Sequence, residues 1–371
     1  MPGRGPVSHD VEVRGLVKAF GPERAVDDVS FVVRAGSFFT LLGPSGCGKT
    51  TTLMCIAGLH RLDAGEVRVG GVVYTSVAGR VRVPPEQRDI GMVFQSYAIW
   101  PHMTVAQNVA YPLDVRKVRQ DERERRVADA LRLVGLEALA DKLAIQLSGG
   151  QQQRTALARA IVFRPRLLLF DEPLSNLDLK LREQMRIELK RIQRQVGITS
   201  IYVTHDQAEA LALSDEVAIM SKGRIVQMGP PAEIYGRPAN SEVSRFMGVA
   251  NVLPGRLVRI TGPGRGEIEI GEGGTRACVP CRLGVGVEAG AAAVLSVRPE
   301  HVAVSAVPGG ERCLEGEVFQ TSFLGSSIDC RVRCGTLEWR ILAHPRERLR
   351  PGQRVYLRVS AEHSLAVRGE G

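Results

Sequence analysis

The chain has 371 residues, with 49 lysines and arginines against 40 aspartates and glutamates, giving a formal charge of +9. That length predicts two or three domains rather than one, and the positive surplus suits nucleotide phosphates, anionic lipid headgroups or nucleic acid without choosing among them. No apolar run approaches the ~18 to 20 residues of a membrane-spanning helix, and the opening residues lack the apolar centre of a secretory signal, so a soluble, cytoplasmic chain is expected.

In chain order, Val11 and Val13, then Val29, Phe31 and Val33, alternate with polar neighbours and predict two early strands with one buried face. Residues 37–42 form a short continuous apolar strand. A glycine-rich loop follows it, and residues 50–57 then have the composition of a helix. Residues 90–94 predict a further strand. From about residue 97 to 160 the texture becomes helical, with Val127, Leu131 and Val134 at helical spacing behind a charged stretch at 121–126, which predicts an inserted helical subdomain.

Apolar strands return at 167–170 and 200–204 with a helix over 180–195 between them, the alternation of a parallel sheet. Residues 217–220 and 224–227 read as a closing hairpin. Short helices are expected at 232–235 and 242–247. Beyond about Phe246, short Val, Ile and Leu runs alternate with glycine, proline and arginine, predicting a separate, mostly β domain over 246–371.

Seven cysteines are scattered rather than framed, which argues against a disulfide scaffold. Cys278, Cys281, Cys330 and Cys334 could be imagined as zinc ligands, but their uneven spacing favours small, partly buried strand residues.

Gly43, Pro44, Ser45, Gly46, Cys47, Gly48, Lys49 and Thr50 fit the phosphate-loop pattern at every specified position. The glycines let backbone N–H groups close on phosphates, and the following helix, through Thr51, presents its positive end. Lys49 can reach the β and γ phosphates of ATP, and Thr50 can coordinate Mg2+. Asp171 ends an apolar strand and is placed to hold that Mg2+. Its neighbour Glu172 can position and polarise an attacking water.

His205 and Gln95 also follow strands. His205 could bridge a γ-phosphate and Glu172, and Gln95 could bond both a metal-bound water and the lytic water. Leu147, Ser148, Gly149, Gly150 and Gln151 form a second turn leading into a helix, a phosphate contact the first loop cannot complete alone.

This order of motifs, together with Ser175, Asn176, Leu177 and Asp178, resembles the ATP-binding subunit of an ATP-binding-cassette (ABC) transporter over residues 9–240. The resemblance implies an α/β fold: a P-loop NTPase (RecA-like) core with an antiparallel β subdomain and an inserted helical subdomain at about 97–160. It also implies two copies binding two ATP molecules head to tail, with Ser148, Gly149, Gly150 and Gln151 contacting the nucleotide of the other copy and Asp178 lying across the seam. Phe20 resembles the aromatic that stacks on adenine, a plain core phenylalanine being the alternative. Residues 96–103 resemble the segment that receives a coupling helix, Tyr97 and Trp100 being either anchors for it or core.

The C-terminal part, through residues 251–255, 297–300 and 316–325, resembles the OB-like (TOBE) domain of importer subunits. An ATPase peripheral to the cytoplasmic face of the inner membrane is implied. Its partners would be permease subunits and, indirectly, a solute-binding protein, with a polyamine or ferric iron as the solute. A sugar-type importer ATPase, or a soluble ABC ATPase acting on ribosomes or DNA, stays open. With few aromatics and no stacking platform in the tail, no nucleic acid is expected.

Overall fold

Residues 8–248, 250–272, 276–308 and 313–369 are described by the computed structural model of the chain, which separates into one unit of Met1–Pro231 and another of Ala232–Gly371. In the first unit, β1 (Val11–Phe20) and β2 (Glu23–Val33) pair antiparallel. Their alternating Val11, Val13, Leu16, Val29, Phe31 and Val33 are all buried, the one-faced pattern expected from the sequence. β3 (Phe38–Leu42) leads through the glycine loop into α1 (Lys49–Ala57). β4 (Ala64–Val69), β5 (Val72–Ser76) and β6 (Val81–Arg82) then extend the antiparallel sheet in the order β2-β1-β4-β5-β6. These three strands were not foreseen, because each buries at most three side chains and the β4–β5 turn is the glycine pair Gly70 and Gly71, both at positive φ.

β7 (Ile90–Val93) enters the second sheet. The helical insertion follows as α2 (Val105–Val115), α3 (Gln120–Leu133) and α4 (Gly149–Ile161). The chain returns through β8 (Leu167–Asp171), α5 (Leu179–Val196), β9 (Thr199–Thr204), α6 (Gln207–Leu213), β10 (Glu216–Ser221) and β11 (Arg224–Gly229). Strand order is β11-β10-β3-β9-β8-β7, parallel except for the β10–β11 hairpin.

The central strands are apolar throughout because both faces are covered. Phe38, Leu168, Phe170 and Tyr202 face a core shared with α5 and the helical subdomain, whereas Phe39, Leu167, Leu169, Ile201 and Val203 face α1 and the antiparallel sheet. Parallel pairing brings the C-terminal ends of β3, β7, β8 and β9 to one edge, which is where the candidate residues stand.

One polar knot lies beneath that edge. Glu209 of α6 is buried and accepts from Tyr202 Oη at 2.8 Å and Thr204 Oγ1 at 2.7 Å. Burial raises its pKa despite those two donors. The folded chain therefore holds the Glu209 proton more tightly than the unfolded chain. Its contribution to stability falls as pH rises from the ordinary carboxylate range through the raised pKa. Glu209→Gln should remove that slope and stay within about 1 kcal/mol of wild type at neutral pH, while Glu209→Leu, stranding two hydroxyls, should cost about 2–3 kcal/mol. Urea unfolding across the carboxylate range and up to neutral pH reads both, and a pH-flat wild type would contradict the assignment.

The boundary between the units falls at the start of α7 (Pro231–Gly236), and α8 (Ser241–Phe246) follows in the second unit; these are the two short helices expected there. Its strands are β12 (Asn251–Gly262), β13 (Arg265–Ile270), β14 (Ala277–Leu283), β15 (Ala292–Val297), β16 (Val302–Ser305), β17 (Leu314–Phe323), β18 (Ile328–Cys334), β19 (Leu337–Ala343), β20 (Arg354–Val359) and β21 (Ser364–Val367). β12-β13-β14-β21-β15 close into the OB-like barrel. The order β16-β20-β17-β18-β19 makes a second sheet that the sequence did not separate from the barrel. Cys281, Cys330 and Cys334 are buried in these strands, their thiols pushed up by burial to about 11, 11 and 12, while Cys278 is exposed. Among the described residues no helix is long and apolar enough to cross a membrane.

Candidate functional site

The phosphate loop is shaped by close backbone approaches. A Cβ on Gly43 would sit 2.3 Å from the Met220 carbonyl oxygen, and one on Gly48, at φ +102, would sit 2.2 Å from that of Ala25. Only glycine is tolerated at either place. Gly46 differs: at φ +80 its Cβ direction meets nothing within 4 Å, so the space over the loop is open there. Lys49 is buried and its Nζ donates to the carbonyl oxygens of Gly43 and Pro44, each at 2.8 Å. Pro44, Ser45, Gly46 and Thr50 are exposed, Thr51 is half-buried, and Cys47 is buried with its thiol pKa raised by burial. A lysine resting on its own loop, beside exposed backbone at the start of α1, is arranged to take up a phosphate group.

Thr50 Oγ1 donates to Asp171 Oδ1 at 2.9 Å, joining the first turn of α1 to the end of β8. Burial raises the pKa of Asp171, opposed by the Thr50 hydrogen bond. Two hard oxygen donors beside a phosphate loop are the set a small divalent cation takes. Glu172 follows with φ +43, an uncommon conformation for a non-glycine residue. Its N–H donates to the Val203 carbonyl at 3.0 Å, and its carboxylate Oε2 lies 3.0 Å from Nδ1 of His205 at the end of β9. Gln95, exposed just past β7, is tied in through its main chain: the Asn176 side chain donates to the Gln95 carbonyl at 2.9 Å.

The second turn lies at the start of α4. Ser148 and Gly149 are exposed, and Ser148 N–H donates to Gln151 Oε1 at 3.0 Å, the return half of a capping box. Gly150 is buried, and a Cβ there would stand 3.1 Å from Leu181 Cδ1. Asp178 is exposed and caps α5 by accepting from Leu181 N–H at 3.0 Å. Thus the turn of α4 and the residues around Asp178 pack together within one chain. Among the described residues, no hydrogen bond joins 148–151 to residues 43–50.

Phe20, at the end of β1, is 50% exposed, which excludes a core role; it meets the His60 ring edge-on at 5.6 Å and Lys18 Nζ at 5.1 Å. Tyr97 is buried in the core of the helical subdomain. Trp100 is only partly buried, with its ring 4.4 Å from that of Tyr111.

Arg182 and Arg159, which the sequence motifs do not single out, also shape the site, and Asn176, named there only as a member of the 175–178 motif, ties in Gln95. Arg182 reaches the Leu177 carbonyl at 3.0 Å and Asp206 Oδ2 at 3.4 Å, and Arg159 bonds the 97–98 backbone. Only Arg159 left a sequence signal: a lone cation inside the apolar run of residues 155–161.

This constellation defines a P-loop ATPase with a second glycine turn, at the start of α4, outside the phosphate loop. The ABC transporter family model matches residues 26–175, and the TOBE domain model matches 295–367. The chain is 45% identical to a spermidine/putrescine import ATP-binding protein of Methylococcus capsulatus, covering 92% of this chain and 88% of that protein. It is 42% identical to an Fe(3+) ions import ATP-binding protein of Rhizobium etli, covering 92% of each. A solved ATP-binding cassette, dimeric and bound to ADP and Pi after hydrolysis, matches at 30% identity and a TM-score of 0.51, over 60% of this chain and 98% of that one. The chain belongs to the ABC transporter family, and it is an ATP-hydrolysing member.

Proposed function

We propose that the chain is the energy-coupling ATPase of a membrane importer for a polyamine or ferric iron. It would work as a head-to-tail dimer against permease subunits at the cytoplasmic face of the inner membrane, with a solute-binding protein delivering the cargo. The observation that carries the chemistry is the pairing of two couples at one sheet edge, Thr50 with Asp171 and Glu172 with His205. The similarity to import ATP-binding proteins over nearly the whole chain supports transport rather than action on ribosomes or DNA. The first relatives' names favour polyamine, and the ferric-iron relative is close behind.

In this reading Lys49 leaves the Gly43 and Pro44 carbonyls and donates to the β and γ phosphates, while the loop N–H groups hold the phosphate oxygens. Thr50 and Asp171, with Gln95, would hold Mg2+, and the ion would offset charge on the transferred phosphoryl group. Glu172 takes a proton from the attacking water on its carboxylate, and His205 fixes that carboxylate and faces the γ-phosphate. Phe20 stacks on adenine. Ser148, Gly149, Gly150 and Gln151 complete the site of the other copy, with Asp178 at the seam. ATP then favours the closed dimer because only that state makes both sets of contacts.

The test is co-purification with the permease pair and measurement of ATPase stimulation by binding protein loaded with spermidine, ferric ion or maltose. Stimulation by one of the first two is expected. Stimulation by maltose alone would replace the cargo assignment, and failure to associate with any membrane subunit would sink the transport reading.

A further inference from the structure

Arg159 lies near the C-terminal end of α4 and is 7% exposed. Its Nη1 donates to the Ala98 carbonyl at 2.7 Å and its Nη2 to the Tyr97 carbonyl at 2.8 Å. The guanidinium carbon stands 4.6 Å from the centre of the Trp100 ring. No carboxylate pairs with it among the described residues. Burial brings its pKa down to about 10, which leaves it charged at neutral pH. An unpaired buried cation is costly, and packing alone would be served as well or better by an uncharged side chain. What the guanidinium supplies is a planar fork that closes on two carbonyls at once.

Those carbonyls belong to an unusual turn. Tyr97 and Ala98 are consecutive non-glycine residues in the left-handed region, at φ +61 and +46, and they follow Gln95 by two and three positions. Such a conformation persists only where surrounding bonds over-determine it. Asn108 of α2 grips the other side of the turn: it accepts from Trp100 N–H at 2.9 Å and donates to the Trp100 and Thr104 carbonyls at 3.1 and 3.0 Å. At its beginning the segment is tied to Asn176 through the Gln95 carbonyl. At the far end of α4, about 16 Å away at 1.5 Å per residue, stands Ser148.

We infer that Arg159 is a positioning residue, locking the turn after Gln95 to α4 so that a displacement of Gln95 at one nucleotide is carried to the Ser148–Gln151 turn at the other. This rests on the reading above, in which Gln95 serves its own chain's site and residues 148–151 serve the partner's. The bidentate clamp supplies the rigid link and α4 supplies the lever, so the two composite sites respond together.

The experiment is a double-mutant cycle on the full-length chain with Arg159→Lys, which keeps the cation and loses the fork, and Gln95→Ala. ATP-dependent dimerisation is followed by light scattering, turnover by phosphate release, and ATP affinity of the monomer by equilibrium binding. Arg159→Lys should slow turnover and raise the ATP concentration for half-dimerisation by about fivefold or more, as expected of a broken coupling, with monomer affinity unchanged within about twofold. In the Gln95→Ala background it should add less than about twofold. Independent, multiplying effects would overturn the inference while leaving the assignment of Gln95 intact. Normal turnover in Gln95→Ala alone would overturn that assignment first. Should Arg159→Lys fail to fold, Arg159→Gln, which keeps a neutral donor, takes its place in the cycle under the same criteria.

Discussion

Replacing Glu172 by glutamine is expected to lower ATP turnover by about 10²- to 10⁴-fold, the usual worth of a positioned general base, with ATP binding retained. The substitution is close to isosteric. The contact at 3.0 Å with His205 Nδ1 can persist, because an amide oxygen or N–H suits either tautomer of the ring. The Thr50–Asp171 pair is untouched, as is the Glu172 N–H bond to Val203, which belongs to the main chain. What disappears is the capacity to take up a proton at a carboxylate that the chain has turned to φ +43. If ATP closes the dimer and hydrolysis reopens it, the variant should accumulate as a closed dimer with ATP and Mg2+, seen as an increase in mass by light scattering. Turnover within about threefold of wild type would remove Glu172 from the general-base role.

The same residues mark what a sequence discloses about such a site. The phosphate loop is local: eight consecutive residues carry its glycines, its lysine and its hydroxyl, and strand and helix follow from the flanking apolar runs. Glu172 and His205 were legible one at a time, as polar residues ending apolar strands. Their contact depends on β8 and β9 being neighbours, which is a fact of sheet order rather than of spacing. Phe20 could be read either as core or as a stacking ring, and only its exposure decides against core. Tyr97 and Trp100 looked equivalent in the sequence, yet one is buried in the core and the other lies partly open.

Arg159 and Arg182 were not found, and Asn176 was legible only as a member of the 175–178 motif with no role of its own, because their work is done on backbone carbonyls 61, 5 and 81 residues away, and a carbonyl has no sequence identity. β4 to β6 were missed for a different reason. Short strands with few buried apolar residues, and with charged ones such as Glu66 and Arg68 among them, carry too few apolar positions to establish a period of two.

Ser148→Arg should leave the ATP affinity of the isolated chain unchanged within about twofold and raise the ATP concentration needed for dimerisation by tenfold or more, about 1.4 kcal/mol at the least. Ser148 is exposed and its backbone has the extended geometry of a helix N-cap, φ −66 and ψ 161, so arginine can be accommodated without displacing a core residue. Locally the cost is that of a lost cap plus a cation at the positive end of α4, about 1 kcal/mol, too little to unfold the chain. Across a head-to-tail seam the consequence is larger. There the side chain would fill the space where a γ-phosphate must approach the N–H groups of Gly149 and Gly150, and no rotation of α4 relieves it, because Gly150 is packed against Leu181.

The outcome discriminates between two arrangements. If residues 148–151 serve the nucleotide of their own chain, the variant loses monomer affinity and the fold-change appears in equilibrium binding. If they serve the partner's nucleotide, binding to the monomer is normal and only light scattering registers the change. Dimerisation at wild-type ATP concentrations would contradict a composite site altogether.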